Sequence, residues 1–138
     1  MAKKGSSAVW LRGFLGLFPA ALLLAPATAQ APSLSMLDHL QRGEWELRFR
    51  DGAPTRKICL RTGRELIQLR HPHAGCSQYI VEDTQNRVKV QYTCPGSGYG
   101  LTSIREETTR LVQVHSSGLA GSRAFDFTAE ARRVGNCR

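Results

Sequence analysis

Few residues in this chain have the type and spacing that chemistry needs. His71-Pro72-His73 followed by Cys76 is the place where metal-ligand types cluster. Two imidazoles two residues apart can share an ion, and a thiolate can complete the set. Against that stand Pro72, which suits a loop, and a cysteine count that gives Cys76 another use. Glu106 and Glu107 are adjacent carboxylates and Asp126 and Glu130 lie four apart, the residue type of glycoside hydrolysis. Neighbouring strand positions point to opposite faces, so Glu106 and Glu107 read as solvated strand positions near Arg105 and Arg110. No serine carries the flanking glycines of a nucleophile elbow, and His39 and His115 are isolated. Cys94-Pro95-Gly96-Ser97-Gly98-Tyr99-Gly100 is glycine-rich but has neither the lysine and hydroxyl of a phosphate loop nor the strand–helix context of a dinucleotide fingerprint. It reads as a wide turn that displays Tyr99 for contact. The residues predict no catalytic set, no cofactor and no metal; His71 and His73 are the metal candidates and Tyr99 is the candidate binding residue.

Four cysteines, Cys59, Cys76, Cys94 and Cys137, stand behind what reads as an export leader. Lys3, Lys4 and Arg12 form a positive start, and the uncharged run Gly13–Ala25 is short for a permanent membrane span. Ala27-Thr28-Ala29 supplies small residues where signal peptidase cuts, which predicts residues 1–29 as a signal peptide cleaved before Gln30. The mature chain, residues 30–138, is long enough for one domain and not two. It is expected in a bacterial periplasm or outside the cell, without a membrane anchor. In that compartment an even number of cysteines predicts a disulfide framework. Three connectivities are possible. The one we favour joins Cys59 to Cys76 and Cys94 to Cys137, stapling the second strand to a hairpin and the hairpin to the C-terminus.

The elements that must hold these residues are mostly strands. Ser33–Gln41 suggests a short helix, with Leu37 and Leu40 on one face and Gly43 past its end. In Glu44–Arg50 the odd positions Trp45, Leu47 and Phe49 are apolar and the even ones charged, the mark of a half-buried strand. Lys57–Arg61 is a second strand, and Thr62-Gly63-Arg64-Glu65 has the spacing of a capping box before one helical turn. Tyr79–Glu82 and Val88–Cys94 read as a hairpin in which Val88, Val90, Tyr92 and Cys94 share a face. Leu101–Glu107, Arg110–His115 and Ala124–Val134 follow, the last with Phe125, Phe127, Ala129 and Ala131 on one side. The expected fold is all-β: an antiparallel meander forming a small barrel or strongly curved sheet, with one or two short helices and two disulfides.

The formal net charge is +8, but three of the cations belong to the leader. Arginine dominates the remaining cations, which are scattered and interleaved with acids, so the sequence displays no charged run. Without a basic stripe or an aromatic sheet motif, nucleic-acid binding is not expected.

Gly43-x-Trp45-Glu46, Cys59-Leu60, Gly75-Cys76, Val90-x-Tyr92-x-Cys94 and Ala131-Arg132-Arg133-x-Gly135-x-Cys137 resemble a bacterial family of small exported proteins, the domain of unknown function family numbered 3617. The resemblance spans about Leu37 to Cys137. It implies export, one domain and the cysteine framework, and it carries no activity or catalytic residue with it. The expected function is a non-catalytic binding module of the cell envelope, whose partner is an envelope protein, a cell-wall fragment or a small apolar ligand. One alternative is an inhibitor or modulator of an envelope hydrolase acting through Pro95–Gly100. Another is a metal-binding protein or enzyme using His71 and His73.

Overall fold

The computed structural model describes Gly5, residues 33–72 and residues 75–138. The predicted leader, apart from Gly5, its cleavage point, and His73 lie outside the described residues. From Ser33 onward the chain forms one antiparallel sheet of seven strands. In chain order these are β1 (Gly43–Phe49), β2 (Arg56–Leu60), β3 (Ser77–Asp83), β4 (Arg87–Cys94), β5 (Gly98–Thr108), β6 (Leu111–Ala120) and β7 (Arg123–Gly135). Their order across the sheet is β2-β1-β7-β6-β5-β4-β3. The last five strands are a meander. The hairpin β1–β2 adds itself to the far side of β7, so β2 and β3 become the two edges of an open, curved sheet.

Alternation decides which face is buried. Trp45 and Leu47 of β1, Val88, Val90, Tyr92 and Cys94 of β4, and Phe127, Ala129 and Ala131 of β7 all lie on the buried face, as their spacing predicts. Two helical pieces cover that face. The first, α1 (Ser35–Asp38), is shorter than the sequence suggests. Leu34 adopts a left-handed conformation there and gives its backbone N–H to Asp83 Oδ2 at 3.0 Å, so no side chain caps the helix. The second is a 3-10 turn, Arg64–Leu66, in which Glu65 accepts from the Thr62 backbone N–H at 3.2 Å, as a capping box requires.

Met36, Leu37 and Leu40 from the first piece, with Leu66, Ile67 and Leu69 from the second, are buried against the sheet. Burying six such side chains is worth about 9–18 kcal/mol at about 1.5–3 kcal/mol each. Among the described residues, the interior is filled by the protein's own side chains.

The disulfides are Cys59–Cys137 and Cys76–Cys94, which corrects the expected connectivity. That expectation put β2 beside β3. They are instead the two edges of the sheet with no ladder between them, so Cys59 bonds across β1 to the chain beyond β7 and Cys76 bonds to its own ladder neighbour. Ser77 faces Thr93 in the β3–β4 ladder, so Cys76 falls beside Cys94, with Cα atoms 4.2 Å apart. Cys59 faces Glu44 and Glu44 faces Gly135, so the chain after β7 crosses β1 to reach β2, with Cα atoms 5.5 Å apart. The predicted wide turn is corrected as well: Gly98–Gly100 belongs to β5, and only Pro95–Ser97 turns the chain.

Candidate functional site

His71 is buried, and both of its ring nitrogens are engaged. Nδ1 lies 3.1 Å from the Tyr92 hydroxyl and Nε2 lies 3.0 Å from the Ser97 carbonyl oxygen. A carbonyl only accepts, so Nε2 carries a proton, and in the neutral ring Tyr92 donates to Nδ1. Tyr92 is itself held above its ordinary pKa of 10.0, chiefly because burial disfavours the phenolate. Beside this pair Thr102 Oγ1 donates to the Ile67 carbonyl at 2.6 Å and sits 2.8 Å from Ser116 Oγ. These side chains fasten the segment that carries Ile67 and His71 to β4, β5, β6 and the Pro95–Ser97 turn. The polar network is a fastening. Each hydrogen bond of this kind contributes about 1 kcal/mol, and leaving one buried partner unpaired costs more.

Glycine makes room for the network. Tyr92 faces Gly100, which faces Gly118, which faces Phe125. A Cβ on Gly100 would come within 2.5 Å of the Tyr92 ring. The Tyr92, His71 and Phe125 rings occupy the space that two side chains would otherwise take, with centroid distances of 5.4 Å and 6.2 Å from His71. Thr102, Ser116 and Gly100 carry no sequence signal of this role, apart from a polar residue interrupting an apolar alternation.

The metal candidate finds no support in this geometry. A metal at His71 would have to displace the Tyr92 hydroxyl or the Ser97 carbonyl, and Cys76 is consumed in a disulfide. Among the described residues no group of three His, Cys, Asp or Glu side chains gathers within reach of one ion. The carboxylates are separate too. Glu106 turns toward His39, Glu107 pairs with Arg105, Asp126 with His115 and Glu130 with Arg132. Tyr99 is 47% exposed on the outer face of β5, two residues past the Pro95–Ser97 turn rather than within a turn that displays it.

Concavity is found at the seam between the two edges. A cleft of about 430 Å³ opens there, within the size range of small-ligand sites. Arg56, Ile58 and Cys59 of β2 and Gln78 of β3 line it, together with Thr62, Arg64, Glu65, Gln68, Leu69 and Pro72 of the segment between those strands. Arg56 is the unusual member. Both of its terminal nitrogens donate to the Leu69 carbonyl at 3.2 Å, its Nε is buried without a partner, and no carboxylate pairs with it among the described residues. Burial, and then the nearby charge of Arg70, lower its pKa, although a guanidinium stays charged at any physiological pH.

No family model, curated protein or solved structure matches this chain. The chemistry of the cleft must speak for itself. It offers the guanidinium groups of Arg56 and Arg64, the Glu65 carboxylate, amide groups and apolar patches.

Two further facts bear on compartment. The two disulfides fit a chain that folds in an oxidising compartment. No helix among the described residues is long and apolar enough to cross a membrane.

Proposed function

We propose that this protein is a non-catalytic binding module of the cell envelope that holds its ligand against the outside of the fold, at the seam between β2 and β3. The observation that carries this reading is the seam cleft together with the unpaired Arg56 on its wall. The filled interior supports the same choice. Opening it for a small apolar ligand would expose six buried side chains at a cost of about 9–18 kcal/mol, whereas a micromolar ligand returns about 8 kcal/mol. The inhibitor alternative loses the long loop it relied on, because the turn is only Pro95–Ser97.

Export is part of the proposal, with a leader cleaved before Gln30 and a periplasmic mature form. Kinship with family 3617 belongs to it as well. N-terminal sequencing of the exported product is expected to begin at Gln30; a product that retains Met1 would overturn the leader.

The binding site is tested by screening small polar and anionic fragments by NMR against the full chain. Binders are expected to move the amide signals of Arg56, Ile58 and Gln78, and Arg56→Gln is expected to abolish the effect while the chain stays folded, with a stability loss of about 1–3 kcal/mol from the unpaired Leu69 carbonyl. Shifts concentrated on the interior side chains of Val90 and Val114 would instead point to an internal site and sink the seam reading.

A further inference from the structure

The fold gathers arginines that the sequence scatters. β2 ends, β1 starts, β7 ends and β6 starts at the same rim of the sheet, and these four strands are consecutive neighbours. Arg61 follows β2, Arg42 precedes β1, Arg133 lies near the end of β7 and Arg110 precedes β6. The backbone links them in sequence across the rim. Gly43 faces Leu60, which brings Arg42 beside Arg61; Arg133 Nε donates to the Arg42 carbonyl at 2.8 Å; and the Arg133 backbone N–H donates to the Arg110 carbonyl at 3.0 Å. At about 4.8 Å between strands the row spans about 14 Å.

The acids that could neutralise this row are committed elsewhere. Glu44 pairs with Lys57, Asp38 with Arg64 and Glu130 with Arg132, while Glu65 accepts from the backbone N–H groups of Arg61 and Thr62. Among the described residues no carboxylate pairs with Arg42, Arg61, Arg110 or Arg133.

Arg133, at the centre, is fixed in advance. Its Nη2 donates to Asn136 Oδ1 at 2.8 Å in addition to the Nε bond, and its guanidinium lies across Gly43, where a Cβ would come within 2.8 Å of Nε. The Nη1 edge is left unused. On one side of Arg133 is a cleft of about 420 Å³ walled by Thr108, Arg110, Leu111 and Arg132. On the Arg42 side is another of about 380 Å³ between Arg61 and Asn136.

We infer that this rim is a binding site for an anion that presents several phosphate groups, with Arg133 as the fixed anchor and Arg42, Arg61 and Arg110 closing around it. Guanidinium forks match phosphate oxygens two at a time, which ammonium groups do not. The site is separate from the seam cleft and does not depend on it.

The test is calorimetric titration of the full chain with tripolyphosphate at 0.15 M salt, where unscreened attraction reaches only about 8 Å. Saturable binding is expected. Arg42→Gln with Arg110→Gln should weaken it about tenfold, since each exposed pair contributes up to about 1 kcal/mol. Arg50→Gln with Arg123→Gln removes the same charge from the opposite end and should change it less than about twofold. Arg133→Lys, which keeps the charge and loses the fork, should weaken binding, with its own melting temperature measured to separate lost binding from lost folding. Flotation with vesicles of equal parts phosphatidylcholine and phosphatidylglycerol, against phosphatidylcholine alone, separates the sources. Capture that Arg42→Gln with Arg110→Gln abolishes assigns the phosphates to lipid; tripolyphosphate binding without capture assigns them to a soluble anion. No saturable binding in either arm, or equal losses in the two double variants, would overturn the site.

Discussion

The two edges of the sheet are protected by different means. β2 is tied by Cys59–Cys137 across β1 to the chain beyond β7, closing a loop with a sequence separation of 78. β3 is tied only to its immediate neighbour by Cys76–Cys94, with a separation of 18. β3 also leaves Tyr79 71% exposed and Val81 50% exposed, and it relies on a bulge between Ile80 and Glu82 to bend its free edge. The difference teaches where cross-linking matters most. The β2 edge belongs to a hairpin that joins the meander out of chain order, and a long-range closure must hold it there. The β3 edge continues the meander and needs less.

Removing the two bridges separately is the most forceful way to break this comparison. In the chain-entropy account the longer loop is worth about 4.5 kcal/mol and the shorter about 3 kcal/mol. Denaturant melts of Cys59→Ala with Cys137→Ala and of Cys76→Ala with Cys94→Ala should preserve that order; equal losses would mean that loop length does not govern these edges. Between the edges lies the filled interior, which Gly100→Ala would sharpen. Its Cβ cannot coexist with the Tyr92 ring, so a loss of about 1–3 kcal/mol is expected in the same melts.

Tyr92→Phe is the next step down. It strips His71 Nδ1 of its partner and should cost about 1–2 kcal/mol. The sign of its pH dependence is fixed. Burial raises the folded-state pKa of Tyr92, so its contribution is fully present below the unfolded value near 10 and is lost as pH rises above it. Melting temperatures of the wild-type chain should therefore fall more steeply above pH 10 than those of Tyr92→Phe, and parallel curves would count against this account. The smallest effect is expected on the outer face of the β2 edge. Lys57→Gln removes an exposed pair with Glu44 and should shift stability by less than about 1 kcal/mol.

Local order was legible in the sequence because it is encoded locally. The alternation of Trp45, Leu47 and Phe49, the hairpin through Val88–Cys94 and the pairing of Thr62 with Glu65 each need only neighbouring residues to be recognised. What could not be read depends on strand order. The partner of Cys59 follows from β1 lying next to β7, and the arginine rim follows from four strand ends meeting. Gly98 and Gly100 misled for a related reason. Glycine marks turns in a sequence, yet at Gly100 it makes space for a ring that arrives from the neighbouring strand. Of the candidate residues, His71 could be placed in a loop but not assigned its buried partners, which come from 21 and 26 residues away.

The second of the two pieces of chain that fill the interior lies between Cys59 and Cys76, and those residues are bridged to Cys137 and Cys94. Backbone and bridges together make a closed covalent ring: from Cys59 to Cys76, across to Cys94, on to Cys137 and back. A protease that cuts once after the exposed Arg61 or Arg70 therefore releases nothing. The nicked protein keeps its mass and its packed centre on a non-reducing gel, and it separates into two fragments only when a reductant opens the ring.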